Sequence, residues 1–376
     1  MPDRAASAGG APGPIRLRTL FENGQSADEI AAEVCSFIAA ARRSLDIALY
    51  DVRLPGAPGD AVAGALHDAA RRGVAMRLLY NTDSARPIPV PPPPRTRPEL
   101  IEALPFPTRD VPGVPDLMHH KYLVRDGAAV WCGSTNWSTD SWQREENVIA
   151  TVDSPAVAAA YAENFAELWE GRRVERSGFG EPRVLDVAGR TVRVWFSPGH
   201  GKDLSHRIAD ALDRARRRVR IASPVLTAGA ILGVLGELAS DRRVDLAGVV
   251  DATQVAQVFR QWHDNGNASW KVPMLERVMG AGIFTGKRST PYRPDSVHDF
   301  MHAKVTVVDD TVFVGSFNLS RSGERNAENV LEISDAGLAE QMAAFVDAIR
   351  ARYPEPVTPP RPGRRARSPR WRRGRR

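Results

Sequence analysis

The sequence holds 376 residues, 43% of them hydrophobic, with a formal net charge of +6, which allows two or three domains or one duplicated unit and leaves ample material for a globular core. Its two cysteines, Cys35 and Cys132, read as small buried apolar residues. They suggest no disulfide framework and no oxidising compartment, and neither has metal-ligand spacing with a histidine, so no zinc site is expected. The stretch from Arg361 to Arg376 carries nine arginines and no acid, so the remainder has a net charge of −3 and the basicity belongs to a tail.

In chain order, residues 1–16 are rich in Ala, Gly and Pro, lack the apolar core of a signal peptide and read as a disordered start. No run approaches the roughly 18 apolar residues of a membrane helix, and the expected location is cytoplasmic. Residues 17–21 read as a strand. Ser26 with Glu29 forms a capping box for a helix whose apolar positions are Ile30, Val34, Phe37, Ile38 and Ala41. A strand over 44–52, a helix over 60–72 and a strand over 74–80 follow, an order that predicts a mostly parallel sheet with helices on its faces. Residues 86–98 contain four successive prolines and read as a polyproline-like spacer. A helix over 153–169 closes a first half spanning 17–173.

The second half, 187–353, echoes the first. Ala41-Arg-Arg-Ser-Leu-Asp-Ile-Ala48 reappears as Ala215-Arg-Arg-Arg-Val-Arg-Ile-Ala222, and a helix over 337–352 closes it. The repeat is sharpest over Met118–Asn147 and Met301–Asn329. Both fit His-x-Lys, four residues, Asp, then Gly-Ser-x-Asn, then Glu-Asn. The first copy is His119, Lys121, Asp126, Gly133, Ser134, Asn136, Glu146 and Asn147; the second is His302, Lys304, Asp309, Gly315, Ser316, Asn318, Glu328 and Asn329. Residues 354–376 read as a disordered Arg/Pro-rich tail.

Each copy reads as a hairpin with alternate residues on one face, so the pairs His119/Lys121, Ser134/Asn136, His302/Lys304 and Ser316/Asn318 each share a face. An imidazole can attack phosphorus, a second can give the leaving oxygen its proton, and fixed lysines and amides can stabilise the charge. That set suits a phosphodiester and needs no metal or cofactor. Glu146 and Glu328 are the expected acceptors for the far imidazole nitrogens. His263 and His298 are isolated polar-loop histidines, and Trp262 and Trp270 lie on an expected polar loop that could bind an apolar part of a substrate.

The doubled motif resembles the signature of the phospholipase D superfamily, over about residues 17–353. The resemblance implies an α/β fold of two similar halves packed in one chain, each a mostly parallel or mixed sheet flanked by helices, with one active site between them. It also implies His119 and His302 as nucleophile and general acid, Lys121, Lys304, Asn136 and Asn318 as phosphate ligands (with Ser134 and Ser316 beside them), and Glu146 and Glu328 as histidine-orienting residues. Asp126 and Asp309 are then structural. The second copy departs from the first by one residue, since six residues separate Asp126 from Gly133 and five separate Asp309 from Gly315. The expected substrate is a phosphodiester, a phospholipid headgroup in the first instance and DNA or RNA as the alternative, acted on by a monomer. The tail suits an anionic membrane or a nucleic acid equally.

Overall fold

The computed structural model describes residues 13–82, 101, 103–113, 116–241, 243–266, 270–293 and 296–359. The proline-rich 86–98 stretch and the 361–376 tail therefore lie outside the described residues. The first half comprises β1 (Ile15–Leu20), α1 (Ala27–Ala39), β2 (Ser44–Leu49), β3 (Val52–Arg53), α2 (Ala57–Arg71), β4 (Ala75–Thr82), β5 (Thr108–Pro112), β6 (Lys121–Arg125), β7 (Ala129–Gly133), β8 (Trp137–Ser138), α3 (Thr139–Gln143), β9 (Asn147–Asp153) and α4 (Pro155–Gly171). The second comprises β10 (Val184–Val187), β11 (Arg190–Ser197), α5 (Gly201–Asp213), β12 (Arg218–Ser223), α6 (Gly229–Asp241), β13 (Asp245–Asp251), α7 (Ala252–Asn265), α8 (Lys271–Gly280), β14 (Phe284–Lys287), β15 (Val305–Val308), β16 (Thr311–Gly315), β17 (Glu328–Ser334) and α9 (Ala336–Arg352).

The duplication is complete at the level of the sheets. The first runs β1-β9-β7-β6-β2-β4-β5, and the second repeats it as β11-β17-β16-β15-β12-β13-β14 with β10 added at the edge. The expected parallel character holds only at one end. β2, β4 and β5 pair in parallel, as do β12, β13 and β14, whereas the motif strands pair antiparallel with their neighbours. The cause is the hairpins: helical crossovers generate parallel pairs, while the tight turns of the motifs reverse the chain. Two boundaries also move outward. β1 begins at Ile15, and the chain beyond α9 rejoins the sheet, where Val357 N donates to Phe284 O at 3.0 Å and Gly286 N to Glu355 O at 3.1 Å.

The apolar residues divide into three layers. Between the sheets lies a core shared by both halves, with Tyr122, Val130 and Val148 on one side, Val305, Val312 and Leu331 on the other, and Tyr161 and Phe165 of α4 and Met342 and Val346 of α9 filling it. Outside the first sheet α1 and α2 bury Ile30, Val34, Ile38 and Leu66; outside the second, α5–α8 bury Leu204, Ile208, Phe259 and Val278. α1 starts where the sequence signals it, with Ser26 and Glu29 exchanging reciprocal capping bonds. α7 reaches into the polar loop expected at 261–271 as far as Asn265, and α8 starts at Lys271. Trp262 packs on α7 and Trp270 stands 58% exposed at the start of α8.

The echoed segments before β2 and β12 have the same job. Asp126 accepts bonds from the amides of Arg42, Arg43 and Ser44, and Asp309 from those of Arg216, Arg217 and Arg218. Both aspartates adopt left-handed backbone, at φ 56° and 51°, which Asp tolerates better than most residues. Each motif acid thus ties its hairpin turn to the neighbouring strand. The motif glycines serve strand proximity: a Cβ on Gly133 would stand 2.1 Å from Val148 O, and one on Gly315 2.1 Å from Asn329 O.

Candidate active site

The two motifs meet at the junction of the halves, and each half completes the other. Met118 bridges to Ala327 and Met301 to Glu146, so the strand leading to each histidine lies beside the strand leading to the opposite acid. His119 N donates to Ala327 O at 2.9 Å, and His302 N to Glu146 O at 3.2 Å. This lattice sets both imidazoles in one cleft of about 320 Å³, with Asn136 and Asn318 also in its lining.

The histidine partners are unequal. His119 Nδ1 faces Glu328 Oε2 at 2.8 Å. His302 Nδ1 faces Asn147 Oδ1 at 3.1 Å, with Glu145 Oε2 at 3.4 Å. Glu146, the expected partner of His302, is turned away. Its carboxylate accepts from Lys287 Nζ at 3.0 Å and Tyr353 OH at 2.7 Å. The cause is register. Ser134 N donates to Val148 O and Ser316 N to Asn329 O, so the structural counterpart of Glu328 is Asn147, one residue beyond Glu146. The two Glu-Asn pairs match as letters but not as positions. Glu145 and Asn147 stand where the second half has Asn326 and Glu328, with acid and amide exchanged. Each pair is internally bonded, Asn147 Nδ2 to Glu145 Oε2 at 3.1 Å and Asn326 Nδ2 to Glu328 Oε1 at 3.2 Å.

The serines also differ from expectation. Ser134 Oγ donates to Asn147 Oδ1 at 2.7 Å and accepts from Val148 N at 2.9 Å, while Ser316 Oγ accepts from Asn329 N at 3.0 Å. Neither lines the cleft; they hold the strands that carry the histidine partners. The side-chain amides of Asn136 and Asn318 do line it, and Asn136 Oδ1 is buried with no partner among the described residues.

Lys121 and Lys304 are almost fully buried, and each ammonium is anchored on the carbonyl of its own motif histidine. Burial pushes Lys121 down to about 7, against the pull of Glu328, Asp51 and Glu145. Burial and the Lys121 charge hold Lys304 well below the ordinary lysine range. Burial pushes Glu328 up to about 7 and Glu145 likewise. Burial and the two lysines hold both His119 and His302 well below the ordinary histidine range, which favours the neutral imidazole. A phosphodiester anion would bring the charge that favours a protonated partner.

His298, one of the two isolated histidines, enters the same cleft and is 4% exposed. Arg53 Nη2 lies 3.1 Å from its Nδ1, and Asp51 anchors that guanidinium. Arginine only donates, so Nδ1 accepts and Nε2 carries the proton, which it gives to Arg293 O at 3.2 Å. His263 lies on α7 and does not line the cleft, nor do Trp262 and Trp270. Residues the sequence did not single out are Glu145, Lys287, Tyr353, Arg53, Gln254 and Gln257. Glu145 alone left a signal, the doubled acid before Asn147.

The sequence matches the family described as cardiolipin synthase, PLD-like domain, over residues 34–169 and 208–350. It is 40% identical over 53 residues to the mitochondrial cardiolipin hydrolase of Xenopus laevis, 14% of this chain and 25% of that one, so the chain spans a quarter of that relative's length. It is 30% identical over 159 residues to the phospholipase D of Rickettsia bellii, 42% of this chain and 68% of that one. Among solved structures, the phosphatidylserine synthase of Haemophilus influenzae superposes with a TM-score of 0.63 at 13% identity, covering 89% of this chain and 86% of that one, which shows a shared fold. Among the described residues no helix is long and apolar enough to cross a membrane.

Proposed function

The chain belongs to the phospholipase D superfamily, and from that premise we propose that it is a phosphodiesterase that cleaves phospholipid headgroups through a covalent phosphohistidine. The observation that carries this reading is the cross-braced histidine pair: two imidazoles in one cleft, each with Nδ1 held by the opposite half. With Nδ1 held on each ring, Nε2 is the nitrogen assigned to the chemistry.

His119 attacks phosphorus through Nε2 while its Nδ1 proton rests on Glu328, whose charge supports the imidazolium as the phosphorus–nitrogen bond forms. The phosphorus–oxygen bond to the departing alcohol breaks, and His302, which takes up a second proton on Nε2 when the phosphodiester anion binds, gives that proton to the departing oxygen and is left neutral. His302 then takes a proton from water, whose oxygen attacks phosphorus, and the bond to His119 breaks. Lys121, Lys304, Asn136 and Asn318 bind the non-bridging oxygens, two amines and two amides held in place by the fold. An alcohol in place of water would give transfer rather than hydrolysis. No step needs a metal.

Lipid is preferred over nucleic acid because none of the described residues lining the cleft is a lysine or arginine, and a polynucleotide brings further phosphates that need such partners. The purified protein in excess chelator, given phospholipid micelles, bis(p-nitrophenyl) phosphate and plasmid DNA, tests the reading. Release of headgroup and nitrophenol with intact plasmid is expected. Nicked plasmid with intact lipid would replace the lipid reading by a nuclease, and activity restored only by a divalent ion would end the metal-free mechanism.

A further inference from the structure

Glu146 is a fully buried carboxylate that the reaction steps do not use. Residues 145–147 alternate as in a strand, so Glu145 and Asn147 face His302 while Glu146 points the other way. Its carboxylate enters a cluster drawn from distant segments. Lys287, at the end of β14 and 3% exposed, donates to Glu146 Oε2 at 3.0 Å and to Arg144 O at 3.1 Å, and its ammonium lies 3.3 Å from Glu22 Oε2. Tyr353, the residue after α9, sets its hydroxyl between Glu146 Oε1 at 2.7 Å and Glu22 Oε2 at 2.8 Å. Beyond Tyr353 the chain runs along β14 through the Glu355 and Val357 bonds, which fixes this segment beside Lys287.

The second half fills the same place with a methyl group. By strand register Ala327 is the counterpart of Glu146. It too is buried, and it holds the backbone of the other motif histidine, His119 N donating to Ala327 O as His302 N donates to Glu146 O. An alanine therefore meets the needs of the fold at this point, and a buried ion pair is weak grounds for stability. The cluster stands behind the histidine with the longer partner distances, an amide oxygen at 3.1 Å and a carboxylate at 3.4 Å, against 2.8 Å at His119. We propose that Glu146, Lys287 and Tyr353 are positioning residues for His302, so that the C-terminal segment beyond α9 belongs to the catalytic unit. The inference rests on the phosphodiesterase reading above and adds the residues that set its proton-transfer steps. The path is short. Lys287 pins Arg144 O and the Glu146 carboxylate, and with them the backbone that carries Glu145, Asn147 and the carbonyl accepting from His302 N. The lysine also acts through space. Burial pushes Glu145 up to about 7, and Ser141, Asn147, Lys304 and Lys287 oppose that rise. An ionised Glu145 beside His302 Nδ1 favours the protonated ring that the departing alcohol needs.

The test separates the steps of His302 from that of His119. With bis(p-nitrophenyl) phosphate the first nitrophenolate leaves as the bond to His119 forms and needs no acid, whereas release of the adduct needs His302 to take a proton from water. Rapid-mixing kinetics reads both. Tyr353→Phe, which removes one hydroxyl, should keep the first-turnover rate within about twofold of wild type and lower the steady-state rate about tenfold or more, the scale of losing a hydrogen bond that orients a reacting group. The double variant Glu146→Ala with Lys287→Met removes both buried charges together and gives the site the alanine that the second half carries. It should show the same split, and it serves if the phenylalanine variant fails to fold. A merely structural loss lowers the first-turnover amplitude and the steady-state rate in proportion. Proportional loss in both variants, or wild-type steady-state rates in both, would overturn the positioning role while leaving the phosphodiesterase reading intact. Wild-type protein that turns over neither lipid, nitrophenyl diester nor plasmid would overturn both.

Discussion

Asn147 occupies in the first half the place that Glu328 occupies in the second, and each reaches across to the other half's motif histidine, at 3.1 Å and 2.8 Å. His119 therefore leans on a carboxylate and His302 on an amide carbonyl. A carboxylate stabilises the positive imidazolium of a phosphohistidine; a neutral carbonyl leaves the other imidazolium readier to give up its proton.

This difference supports the proposed roles, His119 as nucleophile and His302 as acid. His119→Ala should abolish turnover of a nitrophenyl diester, because no covalent bond can form. His302→Ala should retain measurable turnover of the same substrate, whose leaving group needs little protonation, while losing about 10²-fold or more on a lipid alcohol. Glu328→Gln should cost about 10–100-fold in kcat, and Asn147→Asp less than about tenfold, since the latter keeps an acceptor at His302. Steady-state kinetics on both substrates checks all four.

The pH profile should be bell-shaped. Burial raises Glu328 to about 7, so its charge is lost as pH falls below that value. Burial lowers Lys121 to about 7, so its charge is lost as pH rises above it. Both charges coexist best close to neutrality, and kcat/KM for a soluble diester should fall on either side. Residual activity of Glu328→Gln should lack the acid limb. A profile rising steadily to pH 9 would contradict the role given to Lys121.

Asp126 and Asp309 should matter for stability rather than chemistry. Burial disfavours the charge of Asp126, but the amides of Ser44, Arg43 and Arg42 outweigh it and hold the carboxyl below its ordinary range; Arg216, Arg218 and Arg217 do the same for Asp309. A depressed carboxyl contributes stability that is present above about pH 4 and is lost as pH falls through the folded value. Asp126→Ala should cost about 1–3 kcal/mol in urea unfolding at pH 7, the scale of removing bonds from an ionised acceptor, with a smaller cost at pH 3. The folded fraction should keep near-normal kcat.

What could be read in the sequence follows from what each signal depends on. Motif residues at short spacing, His119 to Lys121 or Ser316 to Asn318, keep their geometry because a strand fixes it locally. The capping box at Ser26 is local too. Glu146 does not meet His302 because its alignment with Glu328 runs through a segment one residue longer in the first half, and only strand pairing reveals the slip. The antiparallel share of the sheets, the helices around Trp262 and Trp270, and the meeting of Arg53 with His298 depend on contacts between distant segments, which no local pattern carries.

The arginine tail, outside the described residues, should act through charge alone. Deleting 361–376 should weaken retention on anionic vesicles at low salt and have little effect at 0.5 M salt, where screening acts within about 5 Å. Turnover of a small soluble diester should not change. A large loss on that substrate would place the tail in the active site.

The central claim is the covalent intermediate on His119, formed without metal. The direct measurement is a rapid alkaline quench of the wild-type protein during turnover in excess chelator, followed by peptide mapping of the phosphorylated residue. The account predicts an acid-labile phosphoryl adduct on the His119 peptide, absent from His119→Ala and accumulating in His302→Ala. An adduct on His302 would reverse the two roles, and continued turnover with no adduct on either histidine would contradict the mechanism itself.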